Sequence, residues 1–214
     1  GLLDSPQLPR IIAELSEVLT AERQRREKFY DEVTEDRKIE FIHGQVIMHS
    51  PARHSHIQAS DNLLMLLKTF VSLHDLGEVH HEKCLVVFPR NDYEPDLCYF
   101  SKAKAAAFTA ALMKFPPPDF VVEVLSPTTE GNDRGVKFED YAAGGVTEYW
   151  LVDPDARRVE KHLNRGGEFG PAEIAQSGAE IASAAVLGVR IPVDAIFDRA
   201  ANLAALRRLH SASA

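Results

Sequence analysis

Asp119-Phe120-Val121-Val122-Glu123-Val124-Leu125-Ser126-Pro127 is the stretch from which the rest of the chain is read. Apolar residues occupy both sides of the alternation, so Asp119 to Leu125 reads as a β-strand covered on both faces. Ser126-Pro127 ends it. Glu123 is the anomaly, because a lone carboxylate in such a strand is costly to desolvate. It needs a cation, a proton or a metal beside it.

Upstream, Pro95-Asp96-Leu97-Cys98-Tyr99-Phe100 repeats the oddity. Pro95 cannot donate to a ladder, so this is a sheet edge, a bulge or a strand start. Taken alone, Asp96 reads as a turn former at a strand end. Downstream, Asn132 to Ala143 reads as a helix closed by Gly144-Gly145. Asp133, Lys137 and Tyr141 are spaced i, i+4, i+8 and share one face of it. A surface ion pair is the plain reading of Asp133 and Lys137. Because the helix begins just past the strand of Glu123, Lys137 can instead point back at that carboxylate. Oxygen donors of this kind suit Mg²⁺, Mn²⁺ or Ca²⁺. Two carboxylates and a lysine form a kit for phosphodiester hydrolysis.

Further out, Leu8 to Lys28 reads as a helix with Ile11, Ile12, Leu15, Val18 and Leu19 at helical spacing, its charged second half solvated. Lys38 to Ile42 and Gln45 to Met48 flank His43-Gly44 and read as a hairpin. A helix opens at Ser50-Pro51 and runs to about His74, burying Ile57, Leu63, Leu64, Leu66, Leu67, Phe70 and Val71. Strands are expected over Glu78 to Phe88, Tyr93 to Phe100, Glu148 to Val152 and Val159 to Leu163, with helices over Lys102 to Met113 and Asp194 to His210. Arg165 to Gly170 reads as a hairpin turn and Ala182 to Pro192 as extended or turn-like. Alternating strands and helices with intervening hairpins give an α/β (mixed α+β) class: a central mixed sheet flanked by helices.

The 214 residues suit a single domain, with 1–30 a peripheral N-terminal helix. The formal charge of -8 counts against nucleic-acid binding, although a local basic cleft can sit on an acidic protein. No run approaches the roughly 18 apolar residues of a membrane span. No signal peptide is visible, and the cytoplasm is the default location from that absence. Cys84 and Cys98 lie in apolar runs and read as buried reduced thiols. The nine histidines offer no i, i+4 zinc pair, and Ser126 lacks the setting of a nucleophilic serine. Tyr149-Trp150 reads as core, with Trp150 also able to cover the site. Arg53, Lys83, Arg90, Lys102 and Arg134 are candidate phosphate contacts or ordinary solvated charges.

Pro95-Asp96, a strand bearing Glu123 and a following lysine resemble the PD-(D/E)XK superfamily of restriction-endonuclease-like nucleases. A longer run is more specific: Glu123-Val124-Leu125-Ser126-Pro127-Thr128-Thr129, Asp133, Lys137, Tyr141, Gly145-Val146, Glu148-Tyr149-Trp150 and Val152-Asp153-Pro154. With Arg90 to Asp96, it resembles the bacterial endonuclease family called Uma-two, over roughly Lys38 to Phe197. The resemblance implies a restriction-endonuclease-like fold and an Mg²⁺- or Mn²⁺-dependent endonuclease acting on DNA, with homodimers as a compatible state. It makes Asp96 and Glu123 the metal carboxylates, the Val124 carbonyl a further ligand, and Lys137 the catalytic lysine. The usual lysine two positions after the glutamate is replaced by Leu125, so Lys137 stands in from the next helix. Glu40, His56, Asp133 and Tyr141 match accessory positions. Two alternatives stand beside this reading: a nuclease-fold binding module with altered catalysis, and a metal-dependent hydrolase of another phosphate ester.

Overall fold

The structure, a computed structural model, describes residues 1–33 and 37–212. In chain order the elements are α1 (Leu8–Glu32), β1 (Ile39–Ile42), β2 (Gln45–Met48), α2 (His54–Leu73), β3 (Gly77–His81), β4 (Leu85–Val87), β5 (Asp92–Tyr93), β6 (Leu97–Ser101) and α3 (Lys102–Ala105). They continue with β7 (Lys114–Phe115), β8 (Phe120–Val124), α4 (Glu130–Asp133), α5 (Val136–Ala143), β9 (Glu148–Asp153), β10 (Arg158–Leu163), β11 (Glu173–Gln176), β12 (Glu180–Ala182), β13 (Arg190–Pro192), α6 (Asp194–Phe197) and α7 (Arg199–Ala212).

The strand of Glu123, β8, lies inside a six-stranded sheet of order β11-β10-β9-β8-β6-β3. It runs parallel to β9 and antiparallel to β6, so the sheet is mixed as expected. One face carries Val122, Val124, Trp150 and Val152 and packs on Leu63, Leu66, Leu67 and Phe70 of α2 and on Ala195 and Ile196 of α6. The other carries Cys98, Phe100, Val121, Tyr149 and Leu151 and packs on Tyr141 of α5 and on Ile42, Val86 and Tyr93. Those last three belong to a second sheet, β2-β1-β5-β4-β7. Covering both faces explains the near-continuous apolar run of β8, whose five residues are all buried. The β1–β2 hairpin turns on His43 and Gly44, with φ of 48° and 77°. Two consecutive positive φ angles are what a two-residue turn matching strand twist demands, and glycine takes the second at no steric cost.

Several expected elements divide. The run Glu78 to Phe88 is two strands in different sheets, separated at Glu82, whose φ is 48°. Tyr93 to Phe100 is likewise cut at Glu94-Pro95, where the missing proline N–H interrupts the ladder and β6 starts at Leu97. The Ala-rich stretch Lys102 to Met113 is helical only over α3, and the expected Asn132–Ala143 helix breaks at Gly135 into α4 and α5. Asp194 to His210 divides at Asp198, which is extended.

The N-terminal helix reverses its expected polarity. Ile12, Leu15, Val18 and Leu19 are exposed, whereas the charged half docks. Glu22 is buried and takes two hydrogen bonds from Arg90, at 2.7 and 2.8 Å. Arg26 donates to Asp92 Oδ2 at 2.7 Å and to the carbonyls of Pro89 (3.0 Å), Phe88 (2.6 Å) and Asn91 (3.1 Å). Periodicity located the apolar stripe but could not say that the carbonyls of the Phe88–Asn91 turn would draw a guanidinium instead.

Candidate active site

Register brings the two anomalous carboxylates together. Leu97 of β6 pairs with Val122 of β8, so one residue further Asp96 stands opposite Glu123. Cross-strand neighbours project to the same face, here the face shared with Cys98 and Val121. The backbone ties them: Val124 N–H donates to Asp96 Oδ2 at 2.8 Å, and Asp96 N–H to Glu123 Oε2 at 3.3 Å. Both residues are buried, at 4% and 2% exposure.

Four elements close on this pair. Lys137 of α5, itself buried, holds Nζ 3.0 Å from Glu123 Oε1, 3.0 Å from Glu40 Oε1 and 3.2 Å from Asp133 Oδ1. Tyr141, one turn on, donates its hydroxyl to Glu123 Oε1 at 2.8 Å. Glu40 comes from β1 and also accepts the Glu94 N–H at 3.0 Å. Asp133 comes from α4, and Tyr149 OH donates to its carbonyl at 3.0 Å. From α2, His56 Nε2 lies 3.5 Å from Asp96 Oδ2. Asp96, Glu123, Val124, Lys137, Glu40, His56, Asp133 and Tyr141 therefore meet in one cluster. The i, i+4, i+8 spacing of Asp133, Lys137 and Tyr141 survives the break at Gly135.

Sequence reasoning overlooked Lys38, His49 and Glu94. Lys38 Nζ donates to Asp96 Oδ1 at 2.7 Å. His49 Nε2 lies 3.0 Å from Glu40 Oε2, and Glu94 Oε2 accepts the Ile39 N–H at 2.8 Å. The signal for Lys38 was present: it precedes Glu40 by two residues at a strand start, and that spacing puts both on one face. His49 and Glu94 carried no such pattern.

The cluster is short of positive charge. Among the described residues Glu40, Asp96, Glu123 and Asp133 have Lys38 and Lys137 as their permanently charged ion-pair partners, four carboxylates against two ammoniums. Burial pushes the Glu123 carboxyl up to about 8, with Asp133, Asp96 and Glu40 adding to the rise and Lys137 opposing it. Burial also raises Asp133. Burial works the same way on Asp96 and Glu40, but there it loses: Lys38 and His56 hold Asp96 low, and Lys137 and His49 hold Glu40 down to about 2. With all four ionised the cluster would carry two uncompensated negative charges; a proton on Glu123 relieves one in the metal-free protein, and a divalent cation, suited to hard oxygen donors, would replace that proton and relieve both. Among the described residues, no three His, Cys, Asp or Glu side chains form a ready metal cage. Mg²⁺ needs only one or two carboxylates, keeping water in its other positions, so the residues present fit such an ion.

The candidate phosphate contacts fare differently. Arg90 is tied to Glu22, Lys102 to Asp75, and Arg134 to Glu130 and Glu160. Arg53 lines a small cleft with His56, Ser126 and Pro154. Lys83 lines a cavity of about 470 Å³, of whose described lining residues Glu94 belongs to the cluster. Trp150 lies in the core on the opposite face of the sheet, against Phe120, and does not cover the site. Cys84 and Cys98 are buried and free. Among the described residues no helix is long and apolar enough to cross a membrane.

A family model described as "Uma2: Putative restriction endonuclease" matches residues 20–194. The match therefore starts inside α1, close to where that helix begins to be held by the rest of the fold. A crystal structure described as "a putative nuclease belonging to DUF820", from Anabaena variabilis ATCC 29413, superposes with a TM-score of 0.69 at 16% identity, over 80% of this chain and 96% of that one. No curated protein matches the chain.

Proposed function

This chain belongs to the Uma2 family of nucleases, and on that premise we propose that it is a divalent-metal-dependent endonuclease hydrolysing the phosphodiester bonds of DNA. The observation that carries the reading is the convergence of Asp96 and Glu123 on one buried face with two positive charges missing around them. Asp96, Glu123 and the Val124 carbonyl would hold Mg²⁺ or Mn²⁺. When bound, the ion would supply Lewis-acid polarisation of the phosphoryl group and a water acidified for attack.

The chain's own groups have separable tasks. Lys137 is a positioning residue in this reading, because its ammonium already sits between three carboxylates and it is buried away from any incoming substrate. It keeps Glu123 aimed and tolerates Glu40 and Asp133 beside it. The Tyr141 hydroxyl fixes the rotamer of the same carboxylate. His56 lines a small cleft and holds Nε2 3.5 Å from Asp96 Oδ2, and so links that cleft to the carboxylate pair.

The intact set of Asp96, Glu123 and Lys137 favours an enzyme over a binding module with altered catalysis. The test is cleavage of supercoiled plasmid with Mg²⁺ or Mn²⁺ by wild type, Asp96→Asn and Glu123→Gln. Nicking by wild type is expected, with a loss of about 100-fold or more in either variant, the scale at which electrostatic groups act on transition states. Equal nicking by all three proteins would remove these residues from the mechanism.

A further inference from the structure

The two lysines of the cluster are not equivalent. Lys137 Nζ contacts three carboxylates and its side chain is 3% exposed. Lys38 has a single carboxylate at ion-pair distance among the described residues, and its side chain is 22% exposed. It precedes β1, and its carbonyl accepts the His49 N–H at 3.3 Å, so the backbone is tied while the partly exposed side chain keeps its rotamers. Yet its ammonium lies on Asp96 Oδ1, the oxygen of that carboxylate not engaged by Val124 N–H or facing His56. Burial works against its charge, while the Asp96 and Glu123 carboxylates together outweigh burial and raise its pKa. Lys38 is thus held by Asp96, one of the two carboxylates that a cation at this site would use.

We infer that Lys38 and the divalent cation compete for Asp96, so that Lys38 holds the metal's place in the metal-free protein and must swing out when the ion binds. This rests on the metal centre proposed above. A unit positive charge next to a divalent ion disfavours both, and a lone flexible four-carbon stem with partial solvent access can leave where the thrice-held Lys137 cannot. The arrangement keeps Asp96 charged and oriented before metal arrives. It also lowers the apparent metal affinity, because an ammonium has to be displaced each time.

The test is calorimetric titration of Mn²⁺ into the metal-stripped full chain. Lys38→Met is expected to bind about tenfold tighter than wild type, the equivalent of removing one competing contact. Lys38→Arg is expected to stay within about threefold of wild type, since it keeps the charge. In wild type itself, acetylation of Lys38 followed by mass spectrometry should rise several-fold on adding Mg²⁺, while Lys137 stays protected. This second readout decides the matter if Lys38→Met fails to fold. Unchanged or weaker Mn²⁺ binding by a folded Lys38→Met, or unchanged labelling at saturating Mg²⁺, overturns the competition and leaves the metal centre intact. Mn²⁺ binding that is absent, or unaffected by Asp96→Asn, overturns the metal centre and the competition with it.

Discussion

Lys137 is the residue on which the cluster's electrostatics turn. Burial alone would strip its charge, but Glu123, Glu40 and Asp133 reverse the effect and raise its pKa. Removing one partner of a buried ion pair leaves an uncompensated charge, and here three carboxylates lose the same partner. Lys137→Met is therefore expected to destabilise the protein by about 3–5 kcal/mol in urea or guanidinium unfolding. A cost under about 1 kcal/mol, the range of exposed pairs, would mean that the ammonium is not buried among them. Glu123 gives a prediction of opposite sign to an ordinary salt-bridged acid. Its folded value of about 8 lies above the ordinary 4.5, so its contribution to stability is full below 4.5 and fades as the pH rises through 8. Metal-free wild type should lose thermal stability relative to Glu123→Gln between about pH 5 and pH 9. A constant difference in melting temperature across that range would contradict protonation of Glu123 in the folded state.

At the scale of elements, α1 separates what a sequence can reveal from what it cannot. Its existence is written in the apolar spacing of Ile11, Ile12, Leu15, Val18 and Leu19, but its docking is written in Glu22, Arg26 and Tyr30, which pair with residues more than sixty positions away. Leu15→Ser is expected to change stability by less than about 0.5 kcal/mol, because the side chain is exposed. Arg26→Ala should cost about 3 kcal/mol, since it leaves the buried Asp92 carboxylate without its cation and removes a donor from the carbonyls of Phe88, Pro89 and Asn91. Denaturant titration of both variants checks the pair, and the reverse ranking would contradict the docking described. Elsewhere β8 was legible because burial on both faces leaves a continuous apolar run. Asp96 and Glu123 were legible because a carboxylate is expensive in such surroundings. The breaks at Glu82, Gly135 and Asp198 were not, since each is a local backbone choice imposed by which sheet or face the flanking residues join. Lys38 escaped notice because a lysine at a strand start is unremarkable until a distant aspartate is known to face it.

At the scale of the whole molecule, a chain of net charge -8 has to approach a polyanion. Long-range attraction cannot come from the average charge, and Arg90, Lys102 and Arg134 are already occupied by carboxylates. The proposed divalent ion would answer two needs together: it would offset the excess of buried acid and offer a phosphate an attractive partner. The architecture is arranged around that point, with two sheets and α5 converging on the face that carries Asp96 and Glu123. The most direct measurement is an anomalous difference map from crystals of the protein soaked in Mn²⁺. A peak in contact with both the Asp96 and Glu123 carboxylates, with the Lys38 ammonium moved off Asp96, is the predicted result. A saturating soak that leaves no peak between those two carboxylates, with Lys38 still bonded to Asp96, would contradict the metal centre.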